Sequence, residues 1–308
     1  MALTNAHASV NPCKIDPNWG GCRPEDNSNR AVYWETILSF PVDRNPESVL
    51  VSGNKIYVST MGEETGPIKN GDGTLVRYHE YGGLDESFKV RYNLHSPMGM
   101  AIIGEYLFVV DIESIVCVSK ANGDFQFQIS LENEGVDFLN DIVTINSRHL
   151  IVSATRKNAL YLVDVISKSY ERIDIPISNP NGLSYNPVNR VLFVVGNKRH
   201  ELGNFGNGIL TAIEYKNGRF QTILFETSFG YFLDGVAVRG NTVLVSDWKS
   251  VKTGGSLFTY LPFTRTILKE QDLFIPGVAD FGLGTFDRYL VTPDLINDKI
   301  YILKARTL

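Results

Sequence analysis

The chain has 308 residues, 43% apolar and 20% charged, with 29 Lys and Arg against 34 Asp and Glu for a net charge of −5. This suits a globular chain with a large core, and no apolar run approaches the ~18 residues of a membrane-spanning helix. No cluster of roughly five to eight Lys and Arg appears, so neither nucleic acid nor membrane is an expected partner, and a small molecule is.

Residues 1–30 are polar, rich in Pro, Gly and Asn, and read as a tail or arm ahead of one domain over 31–308. Met1 to Val10 lacks the basic start and apolar segment of a signal peptide. Cys13 and Cys22 lie within the arm. Paired as a disulfide they point to an oxidising compartment, periplasmic or secreted; as free thiols they fit the cytoplasm.

From Trp34 onward the chain is a succession of short β-branched and aromatic runs, which read as strands. Six of these runs align: Pro46–Val51, Pro97–Ile102, Leu139–Thr144, Pro180–Tyr185, Leu233–Val238 and Ala279–Gly284. Their second residues form a column: Glu47, Met98, Asn140, Asn181, Asp234 and Asp280. The spacing of about 41 to 53 residues matches propeller blades. Each aligned run is followed by a turn rich in Gly, Asn or Asp and a second run, for example Gly53-Asn54 before Ile56–Thr60 and Gly240-Asn241 before Val243–Asp247. That is hairpin chemistry. A third run follows in every unit, and a fourth in the first five. The sixth unit ends at Leu308 without its fourth strand, and Trp34–Phe40 is a spare one. The expected fold is therefore an all-β six-bladed β-propeller, with blades of four antiparallel strands and a ring closed by the N-terminal strand. Cys117, in Ser114–Val118, reads as a buried strand residue.

If the six runs are innermost strands, the column converges on one point. A single Asn or Asp there would only cap a turn. Five oxygen-bearing residues of six in register indicate more, because carboxylates crowded in a channel repel unless a cation or protons compensate. Glu47, Asn140, Asn181 and Asp234 supply two charges and two neutral carbonyls, a set suited to Ca²⁺ or Mg²⁺, with Mn²⁺ or Zn²⁺ as substitutes. No His or Cys joins the column, against a dedicated structural zinc site. Met98 offers no ligand and reads as an apolar wall.

Four motifs, Pro46-Glu47, Leu139-Asn140-Asp141, Pro180-Asn181-Gly182-Leu183 and Leu233-Asp234-Gly235-Val236, resemble those of the gluconolactonase/regucalcin family of six-bladed propellers, also called the senescence marker protein family. Ser246-Asp247-Trp248 and Ala279-Asp280 resemble a bacterial-type branch of it. The resemblance spans about residues 31–305. It implies that Glu47, Asn140, Asn181 and Asp234 bind a divalent metal, and that the protein hydrolyses a lactone or related ester. Asp234 is then a ligand and the first candidate for the catalytic carboxylate. The family's Glu-Gly-Pro is Glu47-Ser48-Val49 here, which keeps the carboxylate and changes the backbone around it.

Other residues fall on the same face. His200, in the loop Asn197–Gly208, and His95, before the second blade, are candidate bases. Asp280 reads as a carboxylate supporting the ligands, and Asp111 and Asp247, at strand ends, either hold ligands through hydrogen bonds or cap turns. Two functions stand beside each other: a metal-dependent hydrolase, and a non-catalytic binding propeller with a structural metal. A carbon–carbon or carbon–nitrogen bond-forming propeller, as in strictosidine synthase relatives, fits less well because those lack the full ligand set.

Overall fold

The computed structural model describes residues 32–198, 204–284 and 287–307. Their strands form six antiparallel sheets, the blades of an all-β propeller. The innermost strands are Pro46–Ser52, Pro97–Ile103, Leu139–Thr144, Pro180–Asn186, Leu233–Arg239 and the short Gly282–Leu283. Each pairs outward with its chain successor, so every inner hairpin is local, and neighbouring inner strands meet around the ring. The helical segments Glu132–Glu134 and Thr155–Lys157 are single 3-10 turns. The inner hairpins turn on residues such as Gly53 and Gly240, at φ 59° and 56°, where a side chain would be strained.

Ring closure follows the expected plan. Val32–Pro41 lies antiparallel to Lys299–Thr307, from Val32 opposite Thr307 to Pro41 opposite Lys299, and completes blade 6 from the other end of the chain. Blade 5 reinforces the joint. Gln271 donates its amide N–H to the Trp34 carbonyl at 2.7 Å and accepts the Trp34 N–H at 2.9 Å.

Blade 1 departs from the expected pattern. Its sheet has three strands, Pro46–Ser52, Lys55–Thr60 and Thr74–His79. The segment that follows touches the sheet only at single bridges, Leu84 with Tyr78 and Leu94 with Gly73. Asp85 accounts for this. Its carboxylate accepts from Arg77 Nε at 2.9 Å, Lys55 Nζ at 2.6 Å and the Ser87 hydroxyl at 2.6 Å. Side-chain bonds to the second and third strands and a local turn take the place of a fourth ladder.

The apolar core lies between blades. One cluster packs Phe108, Cys117, Ile142, Val152 and Tyr161 across blades 2 and 3. Cys117 is fully buried there and its thiol is pushed up to about 12, as fits a packed strand residue. The expected arm of residues 1–30, with Cys13 and Cys22, lies outside the described residues.

Candidate functional site

A backbone irregularity repeated in the blades aims the column. In blade 1 Pro46 pairs with Thr60 and the register then slips, so that Ser48 faces Ser59 and Glu47 has no ladder partner. The same slip falls at Met98 and Gly99, at Asn140 and Asp141, at Asn181 and Gly182, and at Asp234 and Gly235. Each is a β-bulge, which turns a side chain out of the alternating pattern. The first bulge residue thereby points toward the axis. The second is pressed by the next blade: a Cβ on Gly182 would lie 2.3 Å from the Asp234 carbonyl oxygen, and one on Gly99 2.6 Å from Asp141 Cα. Glycine there lets the inner strands approach. Serines of the second strands serve the bulge backbone: Ser153 Oγ accepts the Asp141 N–H at 2.9 Å and Ser246 Oγ the Gly235 N–H at 2.7 Å.

The bulges bring five column residues to one cavity of about 660 Å³ on the channel axis: Glu47, Met98, Asn140, Asn181 and Asp234. Its remaining wall is mostly apolar, from Met61, Phe138, Phe232, Trp248, Leu295 and Ile296, with Arg156 and the 65–68 segment of the long Met61–Thr74 loop at the rim. Met98 is one of these apolar surfaces.

Three oxygens on this wall are bare. Glu47 Oε2, Asn181 Oδ1 and Asp234 Oδ1 are buried without a hydrogen-bond partner. Such an atom costs about 1–3 kcal/mol, so three facing one cavity is an arrangement that asks for a cation or water. Their partners elsewhere hold them in place. Trp248 Nε1 donates to Asp234 Oδ2 at 2.6 Å, and Asn181 Nδ2 reaches the Leu233 carbonyl at 3.4 Å. Asn197 grips the same Leu233 on both sides, its Nδ2 to the carbonyl at 3.1 Å and its Oδ1 from the N–H at 3.0 Å. Among the described residues no three His, Cys, Asp or Glu side chains group closely enough to bind a metal by themselves. The column set has only two carboxylates, and its other donors are amide carbonyls, which suits a hard oxygen-seeking cation.

The sixth position behaves differently. Asp280 is absent from the cavity wall. Its Oδ2 accepts the Ser48 hydroxyl at 2.6 Å and its N–H donates to the Glu47 carbonyl at 3.2 Å. It thus braces the bulge that carries Glu47. Asp141 was given no role by the sequence reading. Its carboxylate, where the four other bulges have glycine or serine, accepts the Leu183 N–H of blade 4 at 2.5 Å and its own neighbour's, Ile142, at 2.7 Å.

Electrostatics at the axis are severe. Burial, and then mutual repulsion, raises Glu47 and Asp141 well above the usual carboxylate range. Burial and Asp280 push Asp234 up to about 7, against the stabilising bond from Trp248. Burial pushes Asp280 up to about 6, against Ser48. Four crowded carboxylates need compensating positive charge or protons.

Asp111 and Asp247 serve the backbone. Asp111 accepts the N–H groups of His95 and Ser96 at 2.9 and 2.7 Å; Asp247 accepts those of Tyr231 and Phe232, both at 2.9 Å. Of the two readings, these bonds are the turn-capping one, although Asp247 thereby fixes the approach to Asp234. His95 is absent from the cavity wall, and His200 lies outside the described residues. Trp248 and Arg156 escaped the sequence reading as site residues. Trp248 had a signal in Ser246-Asp247-Trp248; Arg156 had none.

No family model and no curated protein matches the chain. Among solved structures it is similar to luciferin-regenerating enzyme, at 11% identity and a TM-score of 0.63, covering 90% of this chain and 96% of that one. It is also similar to the β-propeller domain of Cps50 (Swd1) from Myceliophteria thermophila, at 12% identity and 0.60, covering 88% and 99%. A chain of a nidogen/laminin complex matches at 16% identity and 0.55, covering 74% and 80%. At these identities the likeness shows the β-propeller fold and nothing narrower.

Proposed function

We propose that this propeller is a divalent-metal-dependent hydrolase of a lactone or related ester, working at the mouth of its central channel. The observation that carries the reading is the set of three bare, buried oxygens of Glu47, Asn181 and Asp234 on one cavity wall. With Asn140 they form a donor set for Ca²⁺ first, and Mg²⁺, Mn²⁺ or Zn²⁺ in its place. The motif resemblance to the gluconolactonase/regucalcin family supports the same assignment, and luciferin-regenerating enzyme is an enzyme on this kind of fold.

Glu47, Asn140, Asn181 and Asp234 would hold the cation, which would supply Lewis-acid polarisation of a substrate carbonyl. The chain's own residues do the rest. Met98, Phe138 and Phe232 supply an apolar surface for the substrate body. Asp234, its Oδ2 tied to Trp248, presents Oδ1 as ligand and as acceptor for a proton from the attacking water. Asp280 and Ser48 hold the Glu47 bulge, and His200 is the second candidate base. The oxidising compartment read from Cys13 and Cys22 belongs to the same proposal, and thiol labelling before and after reduction checks it.

The test is turnover on a panel of lactones, esters and organophosphates, in calcium and in chelator, with the wild type, Glu47→Gln and Asp234→Asn. Hydrolysis lost in chelator and in both variants supports the enzyme. No turnover of any compound, with calcium still raising the melting temperature of the wild type alone, makes the protein a binding propeller with a structural metal.

A further inference from the structure

Arg156 is the one cationic side chain on the cavity wall among the described residues, and the same wall carries the acidic Glu47 and Asp234. Its position is built rather than incidental. It sits in the 3-10 turn Thr155–Lys157, between the second and third strands of blade 3. The turn is anchored on both sides. Buried Thr155 donates its hydroxyl to the Pro180 carbonyl of blade 4 at 2.7 Å and its N–H to the Phe138 carbonyl at 3.0 Å. Asn158, in the left-handed region at φ 50°, closes the turn and accepts the Asn179 N–H at 2.7 Å. These bonds place the turn beside the strands that carry Asn140 and Asn181.

The guanidinium lies 5.1 Å from the centre of the Phe138 ring, itself on the cavity wall. Its ion-pair partner Asp137 is 3.4 Å away, and both side chains are more than half exposed. Such a pair holds little energy and yields readily to a better acceptor. A substrate carboxylate free to align offers one, because it can take two parallel N–H bonds from the guanidinium where Asp137 takes a single long one. A divalent cation would neutralise Glu47 and Asp234, so an anionic substrate meets no net repulsion from them.

The geometry points to Arg156 as a specificity residue that selects substrates carrying a carboxylate at the end distal to the ester or lactone carbonyl, across a short apolar chain laid on Met98 and Phe138. This rests on the hydrolase reading above, and the experiment separates the two. Calcium-loaded wild type, Arg156→Gln and Arg156→Lys are assayed on two matched esters, methyl hexanoate and monomethyl adipate, and binding of adipate is measured by calorimetry. The expected result is a wild-type preference for monomethyl adipate in kcat/KM of about tenfold, the worth of one charge-assisted contact at a partly exposed site. The preference is carried by KM, falls toward one in Arg156→Gln, and is partly kept in Arg156→Lys. Equal turnover of the two esters by the wild type, or a preference that survives in Arg156→Gln, overturns the assignment and leaves the hydrolase standing. If neither ester is hydrolysed, adipate decides: binding by the wild type and not by Arg156→Gln keeps the anion subsite in a binding propeller, and no binding by either removes it.

Discussion

Trp248 donates its indole N–H to Oδ2 of Asp234 at 2.6 Å and leaves Oδ1 bare toward the cavity. One donor thus divides the carboxylate into a held oxygen and a presented one. Trp248→Phe keeps a ring against Phe232, now 6.3 Å away centre to centre, and deletes the bond. Calcium affinity is expected to fall by about tenfold, the usual loss when a ligand's supporting partner goes. Calorimetric calcium titration measures it, and an unchanged dissociation constant would remove the orienting role.

Glu47→Gln and Asp234→Asn should change sign between conditions. In chelator each removes a carboxylate from a crowded acidic site and raises the melting temperature by roughly 2 °C, the response to about 1 kcal/mol in a domain of this size. In calcium the wild type gains stability by ligand binding and the variants do not. Thermal melts of the three proteins in both buffers decide the matter. A variant that melts lower in chelator and still gains from calcium contradicts the proposed ligand set.

The raised carboxylates make the metal-free protein sensitive to pH. Asp234, at about 7, and Asp280, at about 6, both lie above their ordinary value near 3.8. The folded state therefore binds more protons than the unfolded one between those limits, and stability falls as pH rises. The contribution is fully present below about pH 4 and lost by about pH 7. Melting temperatures in chelator should decline across that window. Calcium should flatten the decline, because the cation replaces the protons.

Asp111 and Asp247 occupy matching strand ends and should separate on substitution. Asp111→Ala strips the acceptors from the His95 and Ser96 N–H groups, next to a column position that carries Met98. It should cost about 2 kcal/mol of stability and leave calcium affinity alone. Asp247→Ala does the same to Tyr231 and Phe232, two residues before Asp234. It should lower both stability and calcium affinity. Denaturant melts paired with calcium titration tell them apart, and equal affinity losses would show that the two aspartates do not differ in role.

Gln271→Ala tests ring closure. The variant leaves the buried N–H and carbonyl of Trp34 without their side-chain partners, at an expected cost of about 2–4 kcal/mol for two groups. Chemical denaturation gives the value, and hydrogen exchange should quicken along Val32–Pro41. Exchange there at the wild-type rate would place the hold elsewhere, on the ladder to Lys299–Thr307.

Much of the architecture was legible because it is written in local periodicity. Each strand is a short run bounded by Gly, Asn or Asp, and the hairpins pair neighbours in sequence. The missing last strand and the spare first one even identified the closure that Val32 and Thr307 make across the whole chain. Blade 1 broke the count because Asp85 reaches back to Arg77 and Lys55, an interaction no period reports. In the site, the shared register singled out Glu47, Asn140, Asn181 and Asp234, and the bulges brought all four to one cavity.

By itself, then, the sequence determined the propeller, its closing strand and the column, since these depend on alternation, turn chemistry and repeat. Only the tertiary structure decided which oxygens are bare, that Asp280 braces Glu47 through Ser48, that Asp141 ties blade 3 to blade 4, and that Arg156 stands at the rim. Those relations join residues from different blades, and they are set by how closely the inner strands approach at the axis. A repeat says which residues are equivalent; the distances between blades say what each can touch.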